Sequence, residues 1–186
     1  MSDRPVNIEE IKTVRAQADC LYTREQVERA VDQMAAAIGQ RLAGHNPLVL
    51  SVLIGGIIPT ASLLTRLDFP LQVDYVHASR YRENTSGGKL HWLREPGDLN
   101  GRSVLLIDDI LDEGHTLKAV VASCHGAGAS EVLTAVLVDK QVNRDDGLKQ
   151  ADFTGVTVPN RYVFGCGMDY KGYLRNLPGI YAVKGM

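Results

Sequence analysis

The sequence predicts an α/β fold in which a central parallel sheet is flanked by helices. Short apolar runs alternate with stretches of helical periodicity, as at residues 27–38 and 48–53, and again at 104–107 and 116–124. Apolar runs of this length, bounded by turn signals, are typical of buried parallel strands. Of the 186 residues, 45% are hydrophobic and 23% are charged, so we expect residues 1–186 to form a single domain with a full core.

Composition and charge exclude several classes of protein. The net charge is −2, which gives no electrostatic footprint for nucleic acid. No apolar run approaches the ~20 residues of a membrane span, and the first residues lack the pattern of a signal peptide. Cys20, Cys124 and Cys166 are odd in number and widely spaced, which is typical of reduced thiols. We therefore expect a cytoplasmic protein with no nucleic-acid and no membrane partner.

The elements follow one another in a regular order from Thr23 onward. Thr23 with Gln26 is typical of a capping box, and small or apolar residues then recur at helical spacing until Gly44 ends the helix. Residues 1–22 are mixed and fit no single element. The remaining pattern predicts strands at 48–53, 72–79 and 131–138, and helices at about 59–67 and 116–124.

A polar stretch at about residues 80–92 interrupts this alternation. It contains Gly87 and Gly88 among mixed charges, which favours a flexible hairpin or flap. In an arbitrary protein such a stretch is more often a solvated surface loop. The composition of the stretch leaves both interpretations open.

The segment at residues 104–117 is the most informative part of the chain. Its apolar run ends in Asp108 and Asp109, Asp112 follows, and Gly114 precedes the next helical stretch, which predicts a strand, an acidic turn with a glycine, and a helix start. In an open α/β sheet, ligands bind at the carboxyl ends of the strands. Amides of a turn and a helix N-terminus suit a phosphate, whereas carboxylates suit sugar hydroxyls and Mg²⁺. The pattern therefore indicates a phosphorylated ribose ligand; the alternative is a solvated acidic loop without function.

This segment resembles the signature of the type I phosphoribosyltransferases. That signature is an apolar run, two acids, two apolar residues, Asp, a small or hydroxyl residue, Gly, any residue, then Thr or Ser. This sequence departs from it at Glu113, where the family usually has Thr or Ser. The resemblance implies that family's fold, with a small hood built from the terminal segments. It also implies that Asp108 and Asp109 bind ribose and that Asp112 acts as general base or acid. The implied phosphate-binding loop is Asp112, Glu113, Gly114, His115 and Thr116.

Two further segments resemble the hypoxanthine-guanine branch of that family. Residues 53–56 stand where the branch carries Leu-Lys-Gly-Gly with a cis peptide bond that presents amides to pyrophosphate. The resemblance implies that Ile54 and Gly55 bind pyrophosphate through the backbone, since Ile54 replaces the usual Lys. Arg80 and Tyr81 stand at the start of the branch's lid, which makes the polar stretch the expected flexible lid.

The C-terminal part of the chain resembles the base-binding residues of the same branch. Lys140 matches a Lys that hydrogen-bonds the 6-oxo group of the purine, and Arg144 falls where the branch has an Arg near the pyrophosphate. The tail pattern of the branch is matched by Gly165, Asp169, Tyr170 and Arg175. The resemblance implies purine binding by Tyr162, Val163 and Asp169 in addition to Lys140, and pyrophosphate binding by Arg175.

The resemblance as a whole implies an enzyme of purine salvage. It would transfer the 5-phosphoribosyl group from 5-phosphoribosyl-1-pyrophosphate to N9 of hypoxanthine or guanine, giving IMP or GMP and pyrophosphate. Mg²⁺ is the implied cofactor, with Asp108, Asp109 and Asp169 as ligands, and a homodimer or homotetramer is the expected assembly. Two alternatives stay open: a xanthine-preferring enzyme, and a non-catalytic regulator of the same fold that binds the phosphoribosyl ligand.

Overall fold

A computed structural model describes residues 7–80 and 90–186, which contain one six-stranded and one three-stranded sheet. The larger sheet is built from β2 (Leu48–Leu53), β3 (Gln72–Arg80), β4 (Leu90–Arg94), β5 (Ser103–Leu111), β6 (Glu131–Lys140) and β7 (Phe153–Val158). The smaller sheet is built from β1 (Asp19–Tyr22), β8 (Val163–Phe164) and β9 (Ile180–Ala182). The helices are α1 (Ile8–Gln17), α2 (Arg24–Leu42), α3 (Ile57–Leu64) and α4 (His115–Gly126).

The larger sheet is the central layer of the fold. Its order is β4-β3-β2-β5-β6-β7; β4 runs antiparallel to β3, and the other neighbouring pairs are parallel. Because side chains alternate along a strand, Leu105 of β5 faces the core shared with α2 and α3, whereas Leu106 faces the core shared with α4. The predicted α/β class, with a mostly parallel sheet flanked by helices, is confirmed.

Strand β5 extends further than β2, its neighbour in the sheet. Its pairing with β2 ends at Ile107, but its pairing with β6 continues to Leu111. Asp108 and Asp109 therefore lie within the strand and not in the turn that the sequence predicted after it. The prediction was wrong here because apolar periodicity does not reveal pairing with β6. The overhang leaves the end of β5 open on the β2 side, where ligands bind in such sheets.

The smaller sheet joins the two ends of the described chain. Strand β9 lies between β1 and β8 and runs antiparallel to both. It corresponds to the hood of terminal segments that the sequence implied. Helix α1, capped by Asn7, and strand β1 lie between residues 7 and 22, a part of the chain for which the sequence predicted no element. Ile11 is the buried residue of α1, so the helix carries little amphipathic signal.

The other element boundaries agree with the sequence to within a few residues. Thr23 and Gln26 form the predicted capping box at the start of α2. Helix α3 starts and ends slightly before the predicted 59–67. It ends early because the amides of Arg66 and Leu67 donate to carbonyls three residues back, and this tighter turn closes the helix.

The expected lid at residues 80–92 lies mostly outside the described residues, and β4 occupies its last part. Among the helices of residues 7–80 and 90–186, none has the length and apolar character that crossing a bilayer requires.

Candidate active site

A cleft of about 500 Å³ lies between the carboxyl ends of β2, β5 and β6 and the hood. Residues 108–116 contribute the end of β5 and the following turn to its wall, Gly55 follows β2, and Lys140 ends β6. The hood contributes Tyr162, Val163, Asp169 and Arg175. The structure thus brings most of the predicted site residues to one cavity, although they are spread over 120 residues of the chain.

The turn between β5 and α4 has the form expected for a phosphate-binding loop. Gly114 has a φ of 76°, a left-handed conformation that favours glycine, and it immediately precedes the first helical residue, His115. The first N–H groups of a helix have no intrahelical acceptor and attract anions. Glu113, the departure from the family signature, has a side chain that is 77% exposed, so the longer side chain needs no room within the loop.

Asp112 and Lys140 form an ion pair across the cleft. The Lys140 ammonium donates to Asp112 Oδ2 at 3.0 Å, and the side chains are 14% and 47% exposed respectively. They come from the ends of β5 and β6, which are neighbours in the sheet. In a 6-oxopurine, N7 and the 6-oxo oxygen are adjacent on one edge of the base. A carboxylate and an ammonium this close can therefore meet that edge together.

Asp108 and Asp109 are adjacent acids in a poorly solvated strand. The backbone N–H of Asp109 donates to Asp108 Oδ1 at 2.9 Å. Burial raises the pKa of Asp108 well above its ordinary value, and the negative charge of Asp109 adds to the shift. Burial also raises the pKa of Asp109, although the Asp108 hydrogen bond and Arg175 oppose the shift. Such a pair favours a ligand that supplies hydroxyl donors or a cation.

Replacing Asp108 with Asn is expected to raise the melting temperature of the ligand-free protein at pH 8. An acid whose pKa is raised on folding contributes full stability below its unfolded pKa and loses that contribution as pH rises through the folded pKa. Asn keeps the amide oxygen that accepts from Asp109 but carries no charge. Thermal unfolding at pH 8 and near pH 4 should show the gain at the higher pH only. An equal gain at both pH values would contradict the assigned cause.

Arg175 connects the hood to the end of β5. It forms an ion pair with Asp169 Oδ1 at 2.5 Å, donates to the Gly167 carbonyl at 2.6 Å, and lies 3.7 Å from Asp109 Oδ2. The other oxygen of Asp169 accepts from the Gly172 N–H at 2.6 Å. Asp169 and Arg175 therefore face the cleft as a bonded pair, close to the acids of β5.

The carboxylates at this end of the cleft suit Mg²⁺ only if a bound substrate supplies further oxygen ligands. Within residues 7–80 and 90–186, no three Asp, Glu, His or Cys side chains converge tightly enough to hold a metal ion. Mg²⁺ commonly uses one or two carboxylates together with waters and substrate phosphates. Asp108, Asp109 and Asp169 could supply such carboxylates; burial and, after it, the charge of Asp109 raise the pKa of Asp108, and a bound cation would offset both effects.

The loop after β2 approaches the acids through its backbone. The Leu53–Ile54 peptide bond is cis, as the resemblance implied. A Cβ atom at Gly55 would collide with the Asp109 carboxylate, so this position requires glycine. The Ile54 side chain is 52% exposed and is not part of the cleft wall. Gly167 was not predicted; it has a φ of 111°, and a Cβ there would collide with the Gly55 carbonyl.

The hood end of the cleft presents an aromatic side chain. Tyr162 is 43% exposed, and its ring lies edge-on to Tyr170 with a 5.5 Å separation of centroids. The Tyr170 hydroxyl donates to Glu10 Oε1 of α1 at 2.8 Å. Val163, on β8, is buried beside Tyr162. The sequence gave no sign of Glu10, because its partner lies 160 positions away and α1 was not predicted.

The remaining predicted positions are the two at the start of the lid and Arg144. Tyr81 and the side chain of Arg80 lie outside the described residues, so the lid prediction stays a prediction. Arg144 lies behind the cleft wall with a side chain that is 8% exposed, and its guanidinium donates to backbone carbonyls. The nitrogens of Arg144 are bonded to protein oxygens in this structure, and its contact with pyrophosphate stays a prediction.

Comparisons with known proteins agree with this geometry. Residues 17–171 match the model of the phosphoribosyl transferase domain family. The hypoxanthine-guanine phosphoribosyltransferase of Streptococcus pneumoniae is 32% identical over 166 residues, which are 88% of this chain and 92% of that protein. The hypoxanthine-guanine-xanthine phosphoribosyltransferase of Tritrichomonas foetus is 30% identical over 165 residues, covering 88% and 90%.

Solved structures show the same fold. A crystal structure of a hypoxanthine phosphoribosyltransferase from Staphylococcus aureus superposes with a TM-score of 0.84 and 26% identity, covering 97% of both chains. The hood and the larger sheet are therefore shared over almost the whole length. The family match spans both the phosphate loop and the base-binding segment as far as Lys171. This chain belongs to the phosphoribosyltransferase family, in its hypoxanthine-guanine branch, as the sequence motifs predicted.

Proposed function

We propose that this protein transfers the 5-phosphoribosyl group from 5-phosphoribosyl-1-pyrophosphate to N9 of hypoxanthine or guanine, giving IMP or GMP and pyrophosphate. The observation that carries the proposal is the single cleft shared by the phosphate loop, the paired acids, Lys140 and Tyr162. These groups match the three parts of a purine nucleotide: phosphate, ribose and base.

The sugar donor is held by the loops after β5 and β2. The amides of residues 112–116 and the Thr116 hydroxyl bind the 5′-phosphate, and Asp108 and Asp109 bind the ribose hydroxyls. The backbone of Ile54 and Gly55, together with Arg175, faces the pyrophosphate. Negative charge on the two acids also stabilises positive charge that develops on the ribose as pyrophosphate leaves.

The base is held between the hood and Lys140. The Tyr162 ring stacks on the purine, and the Val163 backbone meets the base edge. Lys140 donates to the 6-oxo oxygen and cannot accept a hydrogen bond from an amino group, which selects against adenine. As purine N9 bonds to C1 of the ribose, the C1–pyrophosphate bond breaks and Asp112 takes the proton from N7. Positioning and charge stabilisation supply the remaining acceleration.

Mg²⁺ is the proposed cofactor, and its chemistry is to neutralise the leaving pyrophosphate. Asp108, Asp109 and Asp169 are the residues that would hold it, with substrate oxygens completing the coordination. Titration calorimetry of the sugar donor with and without Mg²⁺ measures this dependence without turnover.

We further propose that the chain is one cytoplasmic domain that assembles as a homodimer or homotetramer. One domain is supported by a core cluster that contains both Ile107 of the larger sheet and Ile180 of the smaller sheet. The assembly is proposed from the family resemblance, since members of this family are usually dimers or tetramers. Light scattering coupled to gel filtration measures the assembly directly.

A spectrophotometric screen of hypoxanthine, guanine, xanthine and adenine, with the sugar donor and Mg²⁺, tests the activity. We expect turnover of hypoxanthine or guanine and none of adenine. Turnover of xanthine alone would favour the xanthine-preferring alternative, to which the name of the Tritrichomonas foetus relative draws attention. Binding of the sugar donor without turnover of any base would favour the regulator.

A further inference from the structure

We propose that Arg144 is a positioning residue that fixes the catalytic Asp112 and the base-binding Lys140 relative to each other through their backbones. The inference rests on the proposed function for the roles of those two residues. It assigns to Arg144 no contact with any substrate.

The contacts of Arg144 are made with the protein and not with the cleft. Its side chain is 8% exposed, and all three of its nitrogens donate to protein oxygens. The acceptors are the carbonyls of Leu111 (2.6 Å), Asp112 (2.5 Å), Lys140 (2.6 Å) and Lys149 (3.2 Å) and the carboxylate of Asp139 (2.6 Å).

Four of those acceptors belong to the point where β5 and β6 separate. Leu111 and Asp139 are the last paired residues of the two strands, and Asp112 and Lys140 directly follow them. Backbone carbonyls beyond the last pair of a ladder need donors from elsewhere; the Lys140 carbonyl also accepts from the Val142 N–H at 2.8 Å. The guanidinium donates to carbonyls of both strand ends at once, because its planar fork presents several N–H groups in fixed directions. It therefore ties the two strand ends together where the ladder stops.

The segment that carries Arg144 also braces the phosphate loop from outside the cleft. The Leu148 N–H donates to the Gly114 carbonyl at 3.0 Å, and the Lys118 ammonium donates to the Asp146 carbonyl at 2.7 Å. A Cβ atom at Gly147 would collide with the Glu113 carbonyl. The backbone of residues 146–148 thus lies directly against the backbone of residues 113 and 114.

The consequence for catalysis is geometric. The side chains of Asp112 and Lys140 meet at 3.0 Å, and the guanidinium that bonds both of their carbonyls determines that separation. A displacement of about 1 Å at a reacting group costs on the order of 10²-fold in rate. Loss of Arg144 should therefore reduce turnover and should also loosen the phosphate loop, which binds the 5′-phosphate of substrate and product alike.

The decisive variant is Arg144→Lys, which keeps the positive charge but loses the fork. If Arg144 were a ligand of pyrophosphate, this variant would weaken binding of the sugar donor and leave IMP, which has no pyrophosphate, unaffected. If Arg144 positions the loop, binding of both should weaken in parallel, each by about tenfold or more, and kcat should fall by about 10–100-fold. Calorimetry measures the affinities for IMP and for the sugar donor, and steady-state assays measure kcat.

Arg66→Lys is the matched control. Arg66 also makes several contacts, to Glu28, Asp32 and the Ser62 carbonyl, but it joins α2 to α3 away from the cleft. The Arg66→Lys variant should leave the affinities for IMP and the sugar donor, and kcat, unchanged. Gly147→Ala is the second variant, in case Arg144→Lys does not fold; it pushes on the Glu113 carbonyl without altering the guanidinium and should give the same parallel loss.

Selective loss of sugar-donor binding in Arg144→Lys would overturn the proposal, as would unchanged affinities and turnover. Parallel loss in Arg144→Lys, or in Gly147→Ala where the first variant does not fold, supports it, provided that thermal unfolding shows the variant folded at the assay temperature. The binding measurements do not depend on turnover. If the wild-type protein binds IMP and the donor but converts no base, the proposed function fails while the positioning role of Arg144 is still decided.

Discussion

Replacing Asp112 with Asn is expected to lower kcat by about 10²–10⁴-fold, the range typical of a general acid or base, while binding of the sugar donor stays largely intact. The amide cannot take the N7 proton of the purine, but it is nearly the same size as the carboxylate. The Lys140 ammonium can still donate to the amide oxygen, so the local geometry should persist. Steady-state kinetics give kcat, and calorimetry gives the affinity for the donor.

Asp98→Asn is the control for the loss of one negative charge. The Asp98 carboxylate accepts from the Asn100 N–H in an exposed turn, and an Asn oxygen can make the same bond. This control should behave as the wild type. Turnover that remains normal in Asp112→Asn would remove Asp112 from the role of base and leave it as part of the phosphate loop only.

Replacing Lys140 with Ala should weaken binding of hypoxanthine before it affects the sugar donor. Hydrogen bonds to charged groups contribute about 1.5–3 kcal/mol, so KM for the base is expected to rise about 10- to 150-fold. The Lys140 side chain is 14% exposed, so bulk water does not readily replace it. Base and donor affinities can be measured separately by calorimetry.

The same variant should also lose part of its selectivity against adenine, because it lacks the Lys140 ammonium, which cannot accept a hydrogen bond from an amino group. Lys12→Ala, which removes an exposed lysine of α1, is the control for charge. Loss of donor affinity in Lys140→Ala, with base affinity preserved, would contradict the position of the base in the cleft.

Much of this site could be predicted from local sequence. The phosphate loop is a contiguous segment whose spacing follows from a strand, a turn and a helix start, so residues 112–116 lie where their pattern indicated. Gly55 and Tyr162 were found only through resemblance to a family, because no local rule distinguishes them from ordinary turn and surface residues. The extent of β5 was missed because strand length depends on the pairing with β6.

The features that sequence could not reveal depend on contacts between distant segments. Glu10 supports the Tyr170 hydroxyl across 160 positions, and neither residue carries a local signal for the other. Arg144 was expected at the pyrophosphate because the position of a residue in a motif indicates which part of the fold it lies in. It does not indicate which way the side chain points. Its guanidinium points to the carbonyls where β5 and β6 separate, and only coordinates distinguish that side of the strands from the other.

The division of the protein into two sheets has a consequence for engineering. The groups placed around the sugar donor come from the larger sheet, together with Arg175, whereas Val163 belongs to the smaller sheet and Tyr162 directly precedes it. Lys140 and Asp112, which meet the 6-oxo edge of the base, lie at strand ends of the larger sheet. Exchanging β8 and its flanking turn between relatives should therefore retune the choice among 6-oxopurines while leaving recognition of the activated sugar unchanged. A chimaeric enzyme library restricted to that segment would be a compact starting point for making unnatural nucleotides.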